Sequence, residues 1–167
     1  MISMNFIPIF NDKNFVSATE EYKTIWSADS GKIIQAIEST TALEFEEKRI
    51  AVLVFEGVSS SGKNANDLMK LRASYSTEVK KCTLIHELSH RLLFGFKFDT
   101  SEDGHKILNL FLFDVWKQLY GEEFANKMVD VESQRTDMYK NAWKYALSMT
   151  PDERKEAFSK RTLSLNK

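Results

Sequence analysis

Residues 83–93 read Thr-Leu-Ile-His86-Glu87-Leu-Ser-His90-Arg-Leu-Leu, an apolar, helix-like run carrying two histidines and a glutamate. On a helix, residues four apart stand one turn above each other on the same side. His86 and His90 can therefore grip one metal ion, with Glu87 on the adjoining edge. In a helix that otherwise packs into a core, these three polar groups are costly unless they find partners, and a metal is one such partner. Only three histidines occur in the chain, and His105 is the third.

Outward from this run, Ser76 or Thr77 can cap the helix, with Glu78 favouring its N-terminal dipole. Gly95 offers a left-handed stop. Residues 96–101 make a short connection, and Ser101 can cap a second helix with Glu102 and Asp103 in its first turn. Residues 107–120 are apolar on nearly every side, the mark of a buried helix, and Gly121 ends it. Residues 122–148 read as one further helix, with Phe124, Met128, Val131, Met138, Trp143 and Leu147 facing the core. Thr150-Pro151 is a strong helix start, and the tail beyond Lys160 is expected to fray.

Before the motif, residues 50–55, IAVLVF, read as a buried strand, and residues 68–75 alternate like a half-exposed one. A helix starting at Ala65 competes with the second assignment. Residues 4–10 form an edge strand or extended arm, limited by Pro8. Residues 15–43 are helical, with a break expected near residues 27–31. The expected fold class is α+β: one mostly helical, minimal zincin-like domain over residues 1–167. Its small sheet, from residues 50–55 and 68–75, packs on the motif helix.

Composition excludes several classes. A net charge of −1 with no basic block gives no footprint for nucleic acid. No apolar run approaches the roughly 18 residues of a membrane span. The N-terminus lacks the basic start and cleavage site of a signal peptide. Cys82, the only cysteine, permits no internal disulfide and fits a reducing, cytoplasmic setting. Nothing in the chain fixes the oligomeric state.

A hydrolytic zinc site needs three protein ligands and an open position for water. His86 and His90 supply two. His105, at the start of the next helix, is the first choice for the third; Asp114, in an apolar run, is the rival. Nine residues of helix turn Asp114 to roughly the opposite face from His105, so it serves better as an orienting carboxylate or a plain buried acceptor. Glu102 and Asp103 are weaker ligand candidates. Glu87 can take a proton from water and pass it to a leaving amine. Tyr139, Arg135 and Tyr145 could reach an oxyanion, although each reads better as a packing or surface residue. Cys82, one turn before His86, reads as an inert buried thiol.

This His-Glu-x-x-His helix resembles that of zincin metallopeptidases. The spacing from His90 to a histidine opening the next helix is similar to that in SprT-like peptidases. The resemblance implies a zinc-dependent peptidase acting on peptides or proteins, with His86, His90 and His105 as ligands and Glu87 as general base. It also implies that residues 68–75 are the edge strand that pairs with an extended substrate. The specific match covers about twenty residues around the motif; no four-cysteine module or metzincin extension accompanies it. A zinc-binding module without proteolytic activity is the alternative. Gly57-Val-Ser-Ser-Ser-Gly62-Lys63-Asn64 nearly completes a phosphate loop, but Asn64 stands where a hydroxyl should hold magnesium. A mobile loop at the rim of a cleft is the better reading.

Overall fold

The computed structural model describes residues 2–165. Among them run β1 (Ser3–Pro8), α1 (Lys13–Thr41), β2 (Arg49–Phe55), β3 (Met69–Arg72), α2 (Thr77–Leu92), α3 (Ser101–Tyr120), α4 (Glu122–Ser133), α5 (Asp137–Leu147) and α6 (Pro151–Leu165). The fold is α+β and mostly helical. Two compact units divide the chain: Met1–Ile34 with Glu44–Phe94, and Gln35–Leu43 with Gly95–Lys167. None of the described helices is long and apolar enough to cross a membrane.

The first unit carries a parallel sheet in the order β1-β2-β3. Ile50, Val52 and Val54 of the central strand are buried on one side, while Ala51, Leu53 and Phe55 are half-buried on the other. Pro8 ends β1, an edge strand, where its missing N–H costs no central ladder bond. Parallel strands cannot share a tight hairpin, so a long crossover must join β1 to β2. Helix α1 is that crossover, and the break expected near residues 27–31 does not occur. Ala18, Tyr22, Ile25, Trp26, Ile33, Ala36 and Ile37 form one buried stripe that passes Gly31 on the exposed side. An exposed mid-helix glycine costs about 1 kcal/mol, less than a stripe of that length contributes. The hydroxyls of Thr19, Thr24 and Ser27 donate back to Phe15 O, Glu20 O and Thr24 O, so none of them competes with the helix.

Strand β3 is shorter than the alternation of residues 68–75 implied. Met69 and Leu71 are buried, but the strand ends at Arg72: Ala73 N–H makes a last bond to Phe55 O at 2.7 Å, and the chain then turns and takes Tyr75 away from the sheet. No helix starts at Ala65. β3 packs on α2, which Ser76 caps by accepting from Val79 N–H. Gly95 is not left-handed; α2 ends on a tightened turn in which Leu93 N–H reaches His90 O at 3.0 Å and Phe94 N–H reaches Arg91 O at 3.3 Å.

The second unit is built on α3, against which α4, α5 and α6 pack. Thr100, not Ser101, caps α3 by accepting from Asp103 N–H. Gly121, at φ 90°, ends it as expected. The single helix expected over residues 122–148 is two, broken at residues 134–136, where Thr136 caps α5 by accepting from Tyr139 N–H. Trp143 is buried against Trp116, and its indole N–H donates to the fully buried Glu132 at 3.0 Å. Leu147, expected in the core, is 39% exposed. Thr150 and Glu153 form a reciprocal capping box at the start of α6. That helix stays regular through Leu165, with Thr162 buried; the rest of the expected frayed tail lies outside the described residues.

Candidate metal centre

Ten residues of α2 are buried, including His86, Glu87 and Arg91. The helix is apolar enough to stay inside, and its polar residues are carried in with it. His86 and His90 project from adjacent turns with their rings 4.9 Å apart at 60° and their Nε2 atoms 3.1 Å apart. His86 is 1% exposed, whereas His90 is half-buried. Two imidazole lone pairs facing one another at that separation require a proton or a cation between them. Two nitrogens bound about 2.0–2.1 Å from a tetrahedral zinc lie about 3.3 Å apart. The separation of this pair fits that arrangement.

Glu87 is also buried, at 5% exposure. Its charge is felt by Tyr22. Burial pushes the Tyr22 phenol well above its usual range, and Tyr75, Glu21, Glu87 and Cys82 push it further. Tyr22 therefore remains a neutral donor, bonding to Arg72 O at 2.9 Å.

His105 belongs to the second unit, as the fifth residue of α3. Its Nδ1 lies 2.8 Å from Ser101 O. A carbonyl only accepts, so Nδ1 carries the hydrogen and Nε2 presents a lone pair, the tautomer a metal ligand needs. Tyr139 packs edge-on against the His105 ring, with centroids 4.6 Å apart. Tyr139 is thus a neighbour of a candidate ligand, and the Arg135 guanidinium lies over its ring. Tyr145 is 39% exposed.

Asp114 is otherwise engaged. Arg154 donates to it from Nε at 3.1 Å and from Nη2 at 2.7 Å, with a third bond to Met149 O. The carboxylate in the apolar run does have a partner, a cation forty residues away. Glu102 pairs with Lys106 and Asp103 with Arg161. Cys82 is a buried free thiol.

The glycine-rich loop is no phosphate cradle. It leads into β3 rather than a helix N-terminus, Lys63 is exposed, and Asp67 accepts from Lys63 N–H at 2.7 Å. Nor is it merely a rim. Arg91, one residue after the motif, is buried inside it. Its guanidinium donates to both oxygens of Glu47 and to Ser61 O, Ala65 O and Asp67 O. This clasp was missed from the sequence. An arginine beside apolar core positions needs a carboxylate, and that requirement was the available signal.

Comparison with protein-family models, with characterised proteins and with solved structures finds no match to this chain.

Proposed function

We propose that this protein is a zinc-dependent peptidase, with His86 and His90 as ligands and Glu87 as general base. The observation that carries the reading is the pair of Nε2 atoms 3.1 Å apart on a buried helix, with a buried glutamate between them in sequence. We take His105 as the third ligand, since it is the remaining histidine and offers its Nε2 lone pair. When bound, zinc would supply Lewis acidity, polarising a carbonyl and lowering the pKa of water to about 7. The chain's own groups do the rest. Glu87 accepts a proton from the attacking water and delivers it to the leaving nitrogen. Ser101 O holds His105 in one tautomer. The substrates are peptides or proteins. A buried single thiol fits the reducing cytoplasm as the site of action.

The test is metal analysis joined to cleavage of a broad peptide library. One zinc per chain is expected, lost in His90→Ala and in His105→Ala and kept in Asp114→Ala. Glu87→Gln should keep the metal and lose at least roughly 10²-fold in cleavage. A native protein purified without metal sinks the proposal. Zinc retained with no cleavage by wild type establishes the second reading, a zinc-binding module without proteolysis. One observation favours that alternative: the strand edge that should receive substrate is already covered.

A further inference from the structure

Residues 68–75 were expected to offer a free edge for an extended peptide. The outer edge of β3 instead pairs with the chain itself. Lys70 N–H donates to Ser60 O at 2.7 Å, and Ser60 N–H donates back to Lys70 O at 2.9 Å, in antiparallel sense. Arg72 N–H donates to Ser59 Oγ at 3.1 Å. These are three of the four outward main-chain groups of Lys70 and Arg72 that an added strand would meet; the fourth, Arg72 O, accepts from the Tyr22 hydroxyl.

Beyond this short segment the ladder cannot continue. Ser61 O is taken by Arg91 Nη1 at 2.6 Å, and Gly62 N–H is taken by Ser60 Oγ at 3.2 Å. A polypeptide therefore cannot simply add outside it. The two halves of the loop are held very differently. Residues 61–67 wrap the buried Arg91 guanidinium, whereas Ser60 is exposed and Val58 is 83% exposed, so residues 58–60 bury little. Between the halves lies Gly62 at φ 90°, a conformation glycine adopts without strain.

We propose that residues 58–60 are an internal competitor for polypeptide: they occupy the edge of β3, and a bound extended chain displaces them and pairs with Lys70 and the Arg72 N–H. The inference rests on the peptidase reading for its substrate class. Residues 61–67 stay on Arg91 during the exchange, and Gly62 is the hinge.

The test uses the zinc-loaded Glu87→Gln protein, which should bind without turnover, and reduced, carboxymethylated ribonuclease as a permanently unfolded polypeptide. Amide exchange is followed by NMR. On binding, the Ser60 amide should lose protection while the Lys70 amide, handed to a new acceptor, keeps it. Ser60→Pro removes one of the competing bonds and should tighten binding roughly tenfold. Ser59→Ala removes only the Oγ acceptor and should give a smaller gain in the same direction, which preserves the test if the proline variant does not fold. Unchanged Ser60 protection in the complex, equal or weaker binding by both variants, or no binding at all overturns the proposal. Displacement without cleavage by wild type would sink the peptidase reading alone. Cleavage with the Ser60 pairing intact would sink only the competitor.

Discussion

Helices α2 and α3 are both largely buried, yet they are built on opposite terms. Six of the ten buried residues of α2 are polar: Lys80, Thr83, His86, Glu87, Ser89 and Arg91. Of the eleven in α3 only His105 and Asn109 are. In α2 the long cations are matched: Lys80 bonds Glu21 at 2.6 Å and Arg91 holds Glu47 and three carbonyls. In α3, both amide atoms of Asn109 lack a hydrogen-bond partner among the described residues, although the side chain is 0% exposed. One helix is held mainly by specific polar pairs, with Ser89 Oγ unpartnered among the described residues; the other is held by apolar area around an unpartnered amide and the unpartnered Trp116 indole N–H. Directional pairs fix where a side chain sits; apolar area fixes only that it is inside.

The largest break in this comparison should come from Arg91→Ala. It strands Glu47, whose side chain is 14% exposed, and releases residues 61–67. A loss of about 3–5 kcal/mol is expected, read from urea unfolding. The double variant Arg91→Met with Glu47→Gln should recover part of it; no recovery would mean the carbonyl bonds dominate. The opposite sign is expected in α3. Asn109→Leu removes a buried, unpartnered amide and keeps its branched shape at a somewhat larger volume, so stability should rise by about 1–3 kcal/mol, less the cost of fitting the added bulk. A loss there would show that the amide serves a purpose the contacts do not display.

The smallest effect concerns Tyr22, whose ring lies under Lys80 Nζ at 5.6 Å. Its folded pKa is raised, so the native state holds its proton where the unfolded chain, near the usual value of 10.0, releases it. The contribution is therefore complete below pH 10 and declines as pH rises above that value. Tyr22→Phe should cost about 1 kcal/mol at neutral pH through the lost bond to Arg72 O. The variant's stability should fall less steeply than wild type above pH 10; parallel alkaline melting curves would contradict this.

What the sequence disclosed follows the same division. Local signals were legible: the β-branched run of β2, Ser76 before α2, Gly121 after α3, and the Thr150–Glu153 box. Adjacent turns alone bring His86 and His90 together. Local signals also misled where distant packing outweighed them. Residues 27–31 suggest a break although the buried stripe of α1 passes Gly31 by, and Gly95 suggests a stop although the helix has already closed on itself. The break at residues 134–136 was hidden because Met138 and Trp143 continue the apolar pattern on both sides. The partners of Arg91, Asp114 and Lys80 lie 24 to 59 residues away, and no periodicity encodes such a pairing.

The parallel pairing of β1 with β2 has a consequence for synthesis. Ser3 and Arg49 are opposite one another, so β1 leaves the ribosome 46 residues ahead of its partner. At roughly 5–20 residues per second it waits on the order of 2–9 s, while α1 can form in microseconds. For that interval SMNFIP is an uncharged strand without its partner β2. Completed α1, able to stack Tyr22 on Phe6 before any sheet exists, is the first shelter the nascent chain can offer it.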